Sequence, residues 1–549
     1  MTDRPPPSLL HSWPWAVAWA VLFAVAHTQS PLYYSNQHQY FVHGLANAGE
    51  GFLREDWLAK TQDPTPLFSG LVASTAREFG PWMYQVYFFL LLGGYMEAIR
   101  RLVTAVPGMP TRGPGEWLFL TAFVAAHAGI FRHLSVEWWR GDYPWYVQTG
   151  VAGQYILGPG LQPSAFGVLL IASLAAFVNG RPLLAAILAA AAADFHSTYL
   201  LPAGLLTVGY VAVLAWEGRT RRGLVVAATA LMMVLPVLVY TSRHFSPVDY
   251  DKFFVTQRIL VEERIPHHAV VGRWLDGIAV GQLLVMAIGL YLVRKTRLFP
   301  VLLFAVFICV ILTLIQISID GYMLALLFPW RFSAVLMPVA SALIFARVAA
   351  AVARKIEGRP QALHIARIAC AVIVATSVGG GIYITAARIG YQTNDTELPL
   401  LDFVRENKRS GDVYLLPARF PNFAAAARGS GSNTFAPAPR AKPGAAHIPV
   451  DLQRFRLYTG APIHIDFKSV PYGEDEVPEW RDRVRRCERW YDQRDWDSPE
   501  IWREVVEAGV THVVTSADRD IKCRAFERIY ADDHYRLYRL RPDRVPTEP

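Results

Sequence analysis

LFPVLLFAVFICVILTLIQI, residues 298–317, contains no charged side chain. A run of about 20 apolar residues matches the thickness of a bilayer's hydrocarbon core when coiled as a helix. Working outward toward the amino terminus, runs of the same kind recur at Ile278–Val293, Leu224–Tyr240, Tyr199–Ala215, Leu183–Ala193, Ala165–Phe177, Trp117–Phe131, Trp82–Ile99 and Trp13–Thr28. Toward the carboxyl terminus they recur at Leu324–Ala346 and Ile365–Ala386. The fifth of these eleven segments, Leu183–Ala193, is short. The first has no small-residue cleavage pattern at its end and reads as a retained span.

Composition agrees with this reading. Of 549 residues only 18% are charged, 53% are hydrophobic, and the mean hydropathy is +0.23. Soluble domains carry about a quarter charged residues. Disorder, a fibrous repeat and a small disulfide scaffold are therefore excluded. The net charge of +8 follows from topology, and no nucleic-acid partner is expected.

Arg100, Arg101 and Arg112 follow the second span, Arg181 the fourth, and Arg219, Arg221 and Arg222 the sixth. Arg294, Lys295 and Arg297 follow the eighth, and Arg347, Arg354, Lys355 and Arg359 the tenth. Basic residues concentrate in cytoplasmic loops. The amino terminus is thus expected in the cytoplasm and the tail outside, and this alternation needs the short fifth span. The preference for Arg over Lys points to a GC-rich bacterial genome, hence to a multi-pass protein of the bacterial inner membrane with a periplasmic tail.

The expected fold class is a polytopic α-helical membrane protein of about eleven transmembrane helices with a C-terminal α/β outer-face domain. Residues 1–387 form the membrane domain, with outer loops at 30–81, 132–163 and 242–277; residues 388–549 form the soluble domain. In the tail, Leu398–Asn407, Glu479–Asp492 and Ser498–Ala508 read as helices. Asp412–Pro417, Ala461–Asp466, Val510–Thr515 and Tyr535–Arg541 read as strands. Ala424–Ala446 reads as a loop, and the whole as one small α/β core. Cys309 and Cys370 read as core residues. Cys487 and Cys523, in an oxidising compartment, are candidates for one disulfide.

An ionisable residue in a span is costly and marks function. Arg331, beside Pro329 in the tenth span, fits a phosphate or carboxylate through its planar fork of donors; the alternative is a structural Arg paired with an acid. Asp194 and His196 interrupt the apolar stretch between the fifth and sixth spans, as a ligand site or as a polar corner with Asp194 capping the next helix. In the first outer loop, Asn36, Gln37, His38 and Tyr40 precede Glu50 and Asp56, and Phe41–Ala48 has the pattern of a helix lying on a membrane surface. Glu50, Asp56 and Asp142 are candidate bases or metal ligands, although loop acids are commonly just solvated. No cofactor is expected, and a divalent metal stays open.

This organisation resembles the GT-C superfamily of membrane glycosyltransferases: a retained first span, a long first outer loop, many further spans and an outer-face tail. The tail segments Phe455–Pro462 and Phe467–Ser469 resemble those of a divergent bacterial branch near this superfamily. The resemblance implies transfer of a sugar from a polyprenyl-phosphate donor to a glycan or protein acceptor at the periplasmic face, with lipids as further partners. Many members have Asp-Glu-x-x-Tyr after the first span, and Asn36-Gln37-His38-Gln39-Tyr40 stands here. An amide cannot act as a general base, so under this resemblance His38, Glu50, Asp56 or Asp142 must supply it. Arg331, His196, Asp194, Asn36, Gln37 and Tyr40 would bind substrate. The alternative is a non-catalytic protein of the same fold that binds or scaffolds envelope polysaccharide machinery.

Overall fold

The computed structural model describes residues 9–33, 36–110, 112–319, 321–387, 389, 395–420, 454–492, 496 and 498–541. Backbone groups in hydrocarbon must bond internally, and each of the predicted apolar segments is helical. Among the described residues five helices are long and apolar enough to cross a membrane: Ser197–Trp216, Thr220–His244, Leu298–Ile319, Tyr322–Ile356 and Pro360–Ala386. A sixth arises if Pro114–His127 and Gly129–Trp139, bent by 57°, form one span. Trp13–His27, Pro163–Val178, Pro182–Phe195 and Gly277–Leu292 are apolar but shorter. Trp82–Thr104 is long but diluted by Tyr84, Gln85, Tyr87, Tyr95 and Glu97. The chain is a multi-pass membrane protein, with fewer full-length spans than the predicted eleven.

The faces that meet lipid are easily recognised. Along Thr220–His244, Leu224 is 62% exposed and Met232 is 69% exposed, and apolar surface on that scale is untenable in water. The interior is built on small residues. Ala185, Ala186, Ala189, Ala190, Ala192 and Ala193 of Pro182–Phe195 are all buried. Such residues let helices approach closely where no hydrophobic drive separates protein from lipid. Ser173 Oγ, for example, bonds the carbonyl of Ala185 at 2.7 Å.

The basic connectors gather at one end of the bundle. Arg297 pairs with Glu217 at 2.5 Å and reaches the carbonyl of Phe177, while Asn179 donates to the carbonyl of Arg101. The tail packs at the other end. Its sheet has the order β1 (Tyr414–Leu415), β2 (His512–Ser516), β4 (Tyr535–Leu540), β3 (Phe526–Ala531). β1 and β2 are parallel and the other pairs antiparallel.

Alternation along the strands gives this sheet two apolar faces rather than the predicted single core. Leu415, Val513 and Tyr538 pack with helices Glu476–Asp492 and Pro499–Glu507. Tyr414, Val514 and Leu537 pack with helices Leu398–Asn407 and Phe455–Thr459. Ile259 and Leu260, from the 242–277 loop, belong to the first of these cores.

Several expectations are corrected here. Ala461–Asp466 is not a strand; Ile463 makes one isolated bridge to Tyr414. Phe41–Ala48 does not lie on a surface: Val42, His43, Gly44, Leu45 and Ala46 of helix Val42–Ala48 are all buried. Asp194 caps nothing, and its Oδ1 is buried with no hydrogen-bond partner. Cys487 and Cys523 are not joined in a disulfide. Cys487 donates to the carbonyl of Leu416, and burial pushes its thiol up to about 12. The expected loop at Ala424–Ala446 lies outside the described residues.

Candidate functional site

The tenth span is broken where the sequence places Pro329. Helix Tyr322–Leu326 ends, Phe328 adopts a left-handed backbone (φ 49°), and a 3-10 turn Pro329–Phe332 leads into helix Ser333–Ile356. Cys309 Sγ donates to the carbonyl of Pro329 and Trp330 Nε1 donates to Thr313 Oγ1 at 2.9 Å. Both bonds clamp the break against Leu298–Ile319. Arg331 therefore stands in a turn at the tail-side start of a helix, not within a continuous span.

A small cleft of about 10 Å³ opens beside it, lined by Gln154, His268, Gln316, Phe328, Trp330 and Arg331 among others. Ala152, also on its wall, is the second non-glycine residue there with positive φ, at 57°. Such conformations cost of order 1–3 kcal/mol each and concentrate at functional sites.

Arg331 donates from Nη1 to Gln154 Oε1 and lies 5.0 Å over the Tyr199 ring. Its Nε is buried without a hydrogen bond. Among the described residues no carboxylate pairs with it. His196 packs edge-on between the rings of Tyr199 and Tyr40, at 5.5 and 5.8 Å. Asn36 donates to the Tyr155 hydroxyl at 3.2 Å. Gln37 accepts from the Tyr33 amide and donates to the carbonyl of Leu161. The structure thus brings Asn36, Tyr40, His196 and Arg331 into one neighbourhood. Asp194 makes no bond there.

The candidate bases fall elsewhere. Asp56 is fully buried: Oδ1 accepts from the Leu58 amide, and Oδ2 accepts from the Ile463 amide and pairs with Arg456 at 3.0 Å. Its lone pairs are spent fastening the first loop to the tail. Gly51 and Gly460 reinforce this junction, since a Cβ on Gly51 would sit 2.4 Å from the Gly460 carbonyl oxygen. Asp142 is equally engaged, held by Arg132 at 2.6 Å with both side chains almost fully buried; it also caps Tyr143–Tyr146. Both acids thus stand in buried ion pairs rather than open in a solvated loop. Glu50 is exposed and makes no side-chain bond among the described residues.

A second group joins His38, a candidate base from the sequence, to residues not singled out there as site residues. Arg264 ends a π-helical segment, Ile259–Arg264, and its Nη2 donates to the carbonyl of Lys468 at 2.6 Å. Burial and the Arg264 guanidinium bring the Lys468 ammonium down to about 8. Asp466 pairs with Arg456 at 3.2 Å and accepts from the Ser469 amide. His38 is only 2% exposed, and neither ring nitrogen has a hydrogen-bond partner. Burial holds it neutral, down to about 3. Tyr40 lies within electrostatic reach of Arg331, and Arg264 within reach of Tyr40, so the two groups adjoin. Among the described residues no group of three or more His, Cys, Asp or Glu could hold a metal ion.

The family described as Domain of unknown function (DUF6798) matches residues 446–487. That segment contains Arg456, Asp466 and Lys468, the tail residues that face the first loop. No curated protein matches the chain. Among solved structures, the crystal structure of ArnT from Cupriavidus metallidurans bound to undecaprenyl phosphate is similar at 14% identity and a TM-score of 0.45. The likeness covers 98% of this chain and 100% of that one.

Besides His38, the one sequence signal for the second group was the Phe467-Lys468-Ser469 segment of the resemblance. Nothing local links it to Arg264 or His38, which the fold brings from 204 and about 430 residues away.

Proposed function

We propose that this chain binds the phosphate of a polyprenyl-phosphate-linked sugar at Arg331 and transfers the sugar to an acceptor at the tail side, as a membrane glycosyltransferase. The positive-inside rule makes that side extracytoplasmic. The observation that carries the reading is Arg331 itself. It is a guanidinium at a strained break in an apolar bundle, with only neutral partners among the described residues. Arg331 is half-buried with its Nε buried and unbonded; a partly desolvated cation without a counter-charge is costly, and an anionic lipid headgroup entering from the bilayer removes that cost.

In this reaction the acceptor oxygen attacks the anomeric carbon as the bond from that carbon to the phosphate oxygen breaks. Arg331 stabilises the negative charge that collects on the leaving phosphate. The acceptor's proton needs a base. Asp56, Asp142 and Asp466 are each paired with an arginine, and Glu50, exposed and without a side-chain bond among the described residues, takes that role.

A second reading has one specific observation in its favour: both best-placed acids predicted from sequence are bound into structural pairs. On that reading the protein binds the lipid phosphate without turnover. The experiment uses the full chain in nanodiscs, measuring polyprenyl-phosphate binding and sugar transfer for wild type and Arg331→Gln. Loss of both in the variant supports the transferase, and binding without transfer in wild type selects the second reading. Equal lipid binding by the two proteins overturns both.

A further inference from the structure

Among the described residues four cations, Arg264, Arg331, Arg456 and Lys468, gather near the carboxylates Asp56 and Asp466. Arg456 pairs with both acids, and Asp466 also lies within electrostatic reach of Arg264 and Lys468. Arg331 has the donor role proposed above. Arg264 and Lys468 remain: one reaches the other's carbonyl, and neither makes an ion pair among the described residues. Two neighbouring like charges in a partly desolvated place repel each other. His268 lies within electrostatic reach of Arg331, Arg264 and Lys468 alike, so the three cations converge on one region.

His38 is an independent observation. It is buried, with both ring nitrogens unused, within electrostatic reach of Asp466 and of three cations, Lys468, Arg456 and Arg264. A neutral imidazole keeps one N–H to donate, and leaving that donor buried and unmet costs free energy. Its backbone carbonyl accepts from Ser469 Oγ, which ties it to the same tail loop. Arg supplies a planar fork for oxyanions and Lys a mobile point charge. Together with an imidazole donor they match a phosphoryl group.

We infer that Arg264, Lys468 and His38 form a second phosphate-binding subsite between the 242–277 loop, the first loop and the tail. It deepens the transferase reading and rests on it for the role of Arg331. The phosphoryl group has two sources: a phosphate carried by the acceptor, or the second phosphate of a lipid diphosphate donor.

The test uses the full chain in nanodiscs. Inorganic phosphate is titrated at pH 7 with polyprenyl monophosphate saturating, and polyprenyl monophosphate and diphosphate are compared separately. For an acceptor phosphate, inorganic phosphate still binds and Lys468→Gln weakens it at least tenfold. For a diphosphate donor, the diphosphate binds at least tenfold tighter than the monophosphate in wild type but not in Lys468→Gln. Arg264→Gln reproduces either loss, Lys468→Arg restores binding, and thermal unfolding verifies that each variant folds. Monophosphate affinity stays within twofold in Lys468→Gln, whereas Arg331→Gln abolishes it; failure of that contrast alone strikes the donor reading. The subsite is overturned if wild type takes no inorganic phosphate and does not distinguish the lipids, or if both Gln variants bind like wild type.

Discussion

Two arginines in this protein, one buried and one half-buried, have opposite surroundings. Arg132 is 1% exposed and clasped by Asp142 through Nε and Nη2, with Trp145 4.1 Å from its guanidinium. Arg331 has an amide and an aromatic face but no carboxylate among the described residues. Arg456, at the junction of loop and tail, belongs with Arg132, for it has Asp56 and Asp466. A buried charge with its counter-charge supplied by the chain holds structure together. One whose counter-charge is missing marks a place where something else brings it. Burial by itself does not separate the two cases.

That contrast breaks first at Asp56. Asp56→Ala leaves Arg456 buried with half its neutralisation and strands the Leu58 and Ile463 amides, so unfolding stability should fall by about 3–5 kcal/mol. Limited proteolysis should show the tail released. A variant as stable as wild type would mean that the pairing does not fasten the tail.

Gly51→Ala probes the same junction without touching charge. The added Cβ meets the Gly460 carbonyl oxygen at 2.4 Å on a backbone with φ 51°, so a loss of about 2 kcal/mol is expected in a thermal or denaturant melt.

Acid comes next. His38 and His464 are each lowered to about 3 by burial, and His512 to about 4. The unfolded chain binds protons near pH 6.5 and the folded one does not. Their contribution is thus present above pH 6.5 and is lost as pH falls toward those lower values, by at most about 1.4 kcal/mol per histidine per pH unit. A melting temperature flat from pH 7 to 5 would contradict it.

The smallest stability effect is expected at Arg331. Arg331→Gln removes a cation that no described acid neutralises, so stability should stay within about 1 kcal/mol, even though lipid binding disappears. If this variant instead loses as much stability as Asp56→Ala, the arginine is structural and the contrast collapses.

Much of the helical part was legible because apolar runs declare themselves. The tail helix Leu398–Asn407 was read to the residue, since its apolar positions repeat at helical spacing. Strand β3, Phe526–Ala531, was missed: it lies at the sheet edge, and its only fully buried residue is Phe526. Pro329 announced a disturbance, but the left-handed turn at Phe328 is a tertiary choice that no local propensity favours. Arg331 could be found because charge in an apolar run is conspicuous. Lys468 and Arg264 sit in ordinary polar sequence and acquire meaning only through long-range contact, whereas His38 stood out beside the first span but its partners did not. Asp56 and Asp142 looked available because sequence does not reveal which acids already have partners.

Ile259 and Leu260 deserve a last thought, being rooted in one of the tail's two hydrophobic layers although they belong to the loop after the Thr220–His244 helix. A tail severed after Pro360–Ala386 would leave an oily socket facing water, and the remaining helices would carry two stranded greasy pegs. The protein is therefore keyed together across its membrane border, and neither piece is a detachable accessory that could be borrowed or shed whole.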